Sequence, residues 1–69
     1  MPFVNIRIVR EVLAADPAGK KAAIGSKVAA AISDATGLPA SEVSIVFDEV
    51  AARDWYVGAD SVEKLRFSS

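Results

Sequence analysis

The chain opens MPFVNIRIV, with a proline at position 2 running straight into an apolar, β-branched stretch. There is no histidine and no cysteine anywhere in its 69 residues. That excludes an imidazole acid–base catalyst, a thiolate nucleophile and a Ser-His-Asp triad. It also leaves no Cys/His set for zinc, and the scattered glycines form neither a phosphate loop nor a dinucleotide fingerprint. No metal and no cofactor is expected. Among unperturbed groups, the one that titrates near neutrality is the α-amino group of the chain itself. Once Met1 is removed, that amine is the ring nitrogen of Pro2. It is a secondary amine, held rigidly at the start of a strand, and able to act as a base or a nucleophile. Burial beside cations lowers its pKa and leaves more of it as free base. While Met1 is in place, the same nitrogen is acylated and offers no base. A proline is also tolerable there on structural grounds alone, since the first residue of a strand needs no amide donor.

The elements that must position Pro2 follow from pattern. From Pro2 to Val9, Val4, Ile6 and Ile8 mark one strand face, with Phe3, Asn5, Arg7 and Val9 on the other. REVLAAD reads as a connection without clear periodicity. Asp16 and Pro17 form a helix start, the aspartate as N-cap and the proline at the first helical position. Ile24, Val28, Ile32 and Ala35 make an apolar stripe, with Lys20, Lys21, Lys27 and Asp34 away from it. Gly37 and Pro39 end the helix, which the spacing predicts from about Pro17 to Thr36. SEVSIVFDEV is a second strand, with Val43, Ile45 and Phe47 alternating against Ser44, Val46 and Asp48. The helix between the strands is long enough for a crossover, which makes them parallel. The tail AARDWYVGADSVEKLRFSS carries a turn around Gly58 and Asp60 and a short hairpin or helical turn.

One small domain spans residues 1–69, without repeat or linker. A chain of this length buries a modest share of its surface, and the usual disulfide or metal staples are missing. Yet 52% of its residues are hydrophobic, at the upper edge of ordinary globular composition. A two-stranded unit cannot cover its own sheet, so burial against further copies is expected. The formal net charge of −1 argues against nucleic-acid and anionic-membrane partners, which need clustered Lys and Arg. No segment has the apolar length of a membrane span, and the N-terminus lacks a signal-peptide pattern; the cytoplasm is the default expectation.

The ordered set MPFVNIRI, KKAAIGSKVAAAISDATGLPASEVSIVFDEV and DWYVGA resembles the short 4-oxalocrotonate tautomerase branch of the tautomerase superfamily over nearly the whole chain. The resemblance implies an α+β fold: a β-α-β protomer with two parallel strands, one long helix and a short C-terminal hairpin or turn, completed by oligomerisation. It implies dimers assembled into a homohexamer, a trimer of dimers, with a hetero-oligomer as the alternative. Its implied chemistry is keto–enol or allylic proton transfer on a small unsaturated or α-keto carboxylic acid, as in the breakdown of aromatic compounds. Pro2 matches the catalytic proline exposed by methionine removal. Trp55 falls where the family places an aromatic residue lining the pocket, with an interface role as the alternative, and Val9 matches an apolar wall position.

The family's two arginines are not matched. The connection after the first strand is longer here, and Val12 or Ala15 takes the place of the first arginine, while Ser44 takes the place of the second. Neither Val12 nor Ala15 can bind a carboxylate. Arg10 and Arg53 are the candidate replacements, with Arg7 a third because it shares a strand face with Val9. Two further readings stay open. One is water addition or dehalogenation, with Pro2 paired with Glu49. The other is a non-catalytic subunit of a mixed hexamer.

Overall fold

The computed structural model describes residues 1–67. Strand β1 (Phe3–Val9) leads through a 3₁₀ turn (Arg10–Leu13) into helix α1 (Pro17–Thr36). A second 3₁₀ turn (Ala40–Glu42) precedes β2 (Ser44–Val50), and a third (Ala52–Asp54) follows it. The chain then makes a small hairpin of β3 (Tyr56–Val57) and β4 (Asp60–Ser61) and closes on a π-helical turn (Glu63–Phe67).

β1 and β2 pair in parallel from Phe3 beside Ser44 to Val9 beside Val50. β1 starts at Phe3 rather than Pro2 because proline has no N–H to give; its carbonyl still accepts from the Ser44 N–H at 3.0 Å. The expected alternation holds along β1 from Phe3 to Ile8 but not along β2, where Ser44 and Asp48 are half-buried as well. Val4, Ile6 and Ile8 of β1, with Ile45 and Phe47 of β2, are half-buried, and the other face leaves Phe3 67% and Val46 44% exposed. Paired residues of parallel strands share a face. Val4 and Ile45, Ile6 and Phe47, and Ile8 and Glu49 therefore line one side. On the opposite side Arg7 bonds Asp48 directly across the ladder, with Nη2 2.9 Å from Oδ2.

The helix has the predicted ends. The Asp16 carboxylate accepts from the Gly19 N–H at 3.1 Å, Pro17 occupies the first turn, and Gly37 closes the last turn at φ 81°. That backbone angle suits glycine because it has no Cβ to clash. Along α1, Lys21, Ile24, Gly25, Val28, Ala29 and Ile32 are half-buried at three- and four-residue spacing, yet no helical residue is fully buried. The helix lies on the sheet with its apolar stripe only partly withdrawn from solvent.

The residues that are buried lie elsewhere, in the turns at the C-terminal end of the sheet: Leu13, Ala51, Ala52 and Val62. The connection REVLAAD, without periodicity in the sequence, is ordered here because Leu13 inserts into that corner and is 2% exposed. Lys20 holds the turn from the helix, donating from Nζ to the carbonyls of Ala14 at 2.6 Å and Val12 at 3.4 Å. Ala15, between turn and helix, takes a left-handed φ of 77°.

Leu13 is the largest of these buried side chains, so Leu13→Ala should cost roughly 2–5 kcal/mol, the range for emptying an aliphatic core position. Urea unfolding followed by circular dichroism measures it.

Candidate functional site

At the end of the sheet where β1 and β2 stop, a pocket of about 440 Å³ opens among the turns, within the roughly 300–1,000 Å³ usual for small-molecule sites. Its walls come from three stretches of chain. Val9 ends β1 and Val12 follows in the 3₁₀ turn. Trp55 and Val57 lie on either side of Tyr56, where the hairpin begins. Val62, Leu65, Arg66 and Phe67 come from the C-terminal turn. Seven of these eight residues are apolar or aromatic, and Arg66 is the single charge.

Two hydrogen bonds fix the walls relative to one another. The Glu11 carboxylate accepts from the Ala52 N–H at 2.8 Å, tying the turn after β1 to the turn after β2. The Trp55 carbonyl accepts from the Val62 N–H at 2.7 Å, closing the hairpin over the buried Val62 side chain. The Ala52 amide is the main reason that the Glu11 carboxyl sits below its ordinary value of 4.5, with its own backbone N–H and the charges of Arg10 and Arg53 adding to it and burial opposing it. Arg10 and Arg53 thus act on one carboxylate, at the same end of the molecule as the pocket.

Of the residues singled out in the sequence, the structure brings Val9 and Trp55 into one pocket. Arg10 and Arg53 are exposed and lie outside its lining. Arg7 is engaged by Asp48 on the open sheet face. Glu49 pairs with Lys21 of α1, which places it on the helix-covered side of the sheet. Ala15 is exposed, and Val12 lines the pocket as an apolar wall. Ser44 stands beside Pro2, its Oγ 3.9 Å from the Met1 sulfur.

Pro2 is half-buried and lies at the opposite end of β1 from the pocket. At about 3.3 Å per residue the strand holds Pro2 and Val9 some 20 Å apart. Within one chain, therefore, Pro2 and Trp55 do not meet.

The sequence reading missed the contribution of the C-terminal turn. The signal present was the spacing of Val62 and Leu65, three residues apart, with Arg66 directly after. Among the described residues no group of three or more His, Cys, Asp or Glu side chains is placed to hold a metal. Among the described residues no helix is long and apolar enough to cross a membrane.

The family model described as "Tautomerase enzyme" matches residues 2–65, beginning on Pro2. The chain belongs to the tautomerase family. Membership places it among isomerase-type enzymes, and the β-α-β architecture agrees. Among solved structures, DmpI from Helicobacter pylori superposes with a TM-score of 0.81 at 24% identity, covering 99% of this chain and 100% of that one. A 4-oxalocrotonate tautomerase isozyme from Methylibium petroleiphilum gives 0.79 at 26%, covering 94% and 98%. A heterohexamer 4-oxalocrotonate tautomerase from Chloroflexus aurantiacus gives 0.79 at 27%, covering 96% and 100%. No curated protein matches by sequence.

The Glu11 bond yields a test of the corner. A carboxylate whose folded pKa is depressed stabilises the fold above its unfolded value and loses that contribution as pH falls through the folded one. Glu11→Gln, which keeps an acceptor oxygen but loses the charge, should flatten the acid limb of the stability curve below pH 4.5 relative to the parent. Urea midpoints measured at stepped pH read this out.

Proposed function

We propose that this chain is a proline-based tautomerase in which Pro2, freed by removal of Met1, moves a proton between carbon and oxygen of a small enolisable or unsaturated carboxylic acid. The carrying observation is the placement of Pro2. Its carbonyl is pinned by Ser44 at the start of a paired strand, in a chain with no imidazole or thiol to compete for the role. The free amine takes the proton from the substrate carbon as a general base and returns it as an ammonium acid to the other end of the conjugated system.

The separation of Pro2 from the Trp55 pocket supports an assembled enzyme. For both to act on one substrate, the proline of one copy must face the pocket of another. The unburied helix, the open apolar face around Phe3 and Val46, and a buried set confined to the turns support the same reading. Burial against other copies removes such surface from water, worth roughly 25 cal/mol per Å² of apolar area. A homohexamer is the assembly we propose. In the joined site, Trp55 and Val9 supply an apolar wall that lowers the local dielectric and strengthens any charge interaction within it. Arg10 and Arg53 lend positive potential at the same end, which favours a carboxylate substrate and holds the Pro2 amine in its free form.

The relative from Chloroflexus aurantiacus is a heterohexamer, and that observation favours a second reading, in which this chain is one of two kinds of subunit. The reading with Glu49 as a water-activating carboxylate is less favoured, because Lys21 engages Glu49 on the helix side of the sheet.

Two outcomes test the proposal. Sedimentation at micromolar concentration should show a hexamer of identical chains; a folded 7.2 kDa monomer would remove the shared site. Protein verified by mass to lack Met1 should tautomerise phenylenolpyruvate, with a rate that rises with pH through one ionisation as the amine loses its proton. Protein retaining Met1 should be folded and inactive. Equal activity in the two samples would exclude the Pro2 nitrogen as the base.

A further inference from the structure

We infer that Arg66 holds the substrate carboxylate, and that the pocket is built for a monocarboxylate with an apolar tail rather than for a dicarboxylate. The inference rests on reading the Trp55 pocket as the substrate pocket.

The chain has eight Lys and Arg residues. Arg7 is bonded to Asp48, Lys21 to Glu49 and Lys64 to Asp60. Lys20 donates to two backbone carbonyls, and Arg10 and Arg53 are exposed outside the pocket lining. Lys27 is exposed on the helix, away from the pocket. Arg66 remains. Among the described residues no carboxylate pairs with it, and it alone of the eight cations lines the pocket.

A guanidinium at the edge of an apolar pocket can meet a carboxylate with two parallel N–H donors, a geometry that a single ammonium lacks. Every other side chain lining the pocket is aliphatic or aromatic. One end of the ligand is therefore an anion on Arg66, and its body is apolar, stacked against Trp55 and the valines. A second carboxylate would lie against Val12, Leu65 or Phe67, where no donor replaces the water it gives up. The absence of the family's two arginines, at Val12 or Ala15 and at Ser44, then has a common meaning: the site has shifted from two cations to one, supplied by the C-terminal turn.

The test uses the Met1-free, assembled protein and needs no turnover. Trp55 is the chain's single tryptophan, so its fluorescence reports on the pocket directly. The probes are 3-phenylpropionate, its uncharged counterpart 3-phenylpropanol, and adipate. The parent protein should bind 3-phenylpropionate about tenfold more tightly than the other two, a factor equivalent to roughly 1.4 kcal/mol. Arg66→Gln should bring 3-phenylpropionate to the level of the alcohol, while Arg66→Lys retains part of the difference and Lys27→Gln leaves it unchanged. If phenylenolpyruvate is turned over, Arg66→Gln should raise KM more than it lowers kcat. Equal affinity for acid and alcohol in the parent overturns the inference without any variant, as does tight adipate binding. An unchanged 3-phenylpropionate affinity in an Arg66→Gln protein of parental sedimentation also overturns it. A protein that binds as expected but fails to tautomerise would leave the ligand assignment standing and sink the Pro2 reading instead.

Discussion

The parallel pairing of two seven-residue strands is the constraint on which the remaining features hang. Parallel neighbours cannot be joined by a tight turn, so the chain must return along the full length of the sheet, and a long helix is the economical way to do so. The same pairing carries β1 from Pro2 at one end to Val9 at the other, so the amine and the pocket are placed at opposite limits of the molecule. It also sorts the side chains. The helix covers one row, and a row bearing Phe3, Val46 and the Arg7–Asp48 pair is left open.

What was legible in the sequence were features specified by neighbours in the chain. Asp16, Pro17, Gly37 and Pro39 mark helix ends through local capping and backbone restriction, and the helix runs between them as the spacing predicts. The alternation in VNIRIV and SIVFDEV is likewise a property of the strand itself. The turns are different. The 3₁₀ turn after β1 is ordered by Leu13 entering a corner built from Ala51, Ala52 and Val62, and by Glu11 reaching an amide 41 residues away. Neither partner is visible from the stretch REVLAAD alone. Val9 and Trp55 were identified through resemblance, and the pocket joins them. The place of the C-terminal turn in the pocket wall was not legible, because five residues of π-helix carry too few positions to show which face turns inward.

The distribution of charge follows from this geometry. Ion pairs tie elements together over the sheet, where Arg7 crosses the ladder and Lys21 bridges helix to strand. These are partly exposed contacts of the kind that contribute about 0–1 kcal/mol each, so their value lies in orientation. At the pocket end, the charges of Arg10 and Arg53 help to lower the Glu11 carboxyl, while Arg66 is the cation that lines the pocket itself.

In a sheet of two strands, each strand has an outer edge with no pairing neighbour. Such rows of free N–H and C=O groups are templates for any extended peptide, and here they border exposed Phe3 and Val46. In the assembly proposed above, a newly made chain would be most exposed to aggregation in the interval before another copy covers those edges, so that the speed with which protomers meet would count alongside the folding of each one.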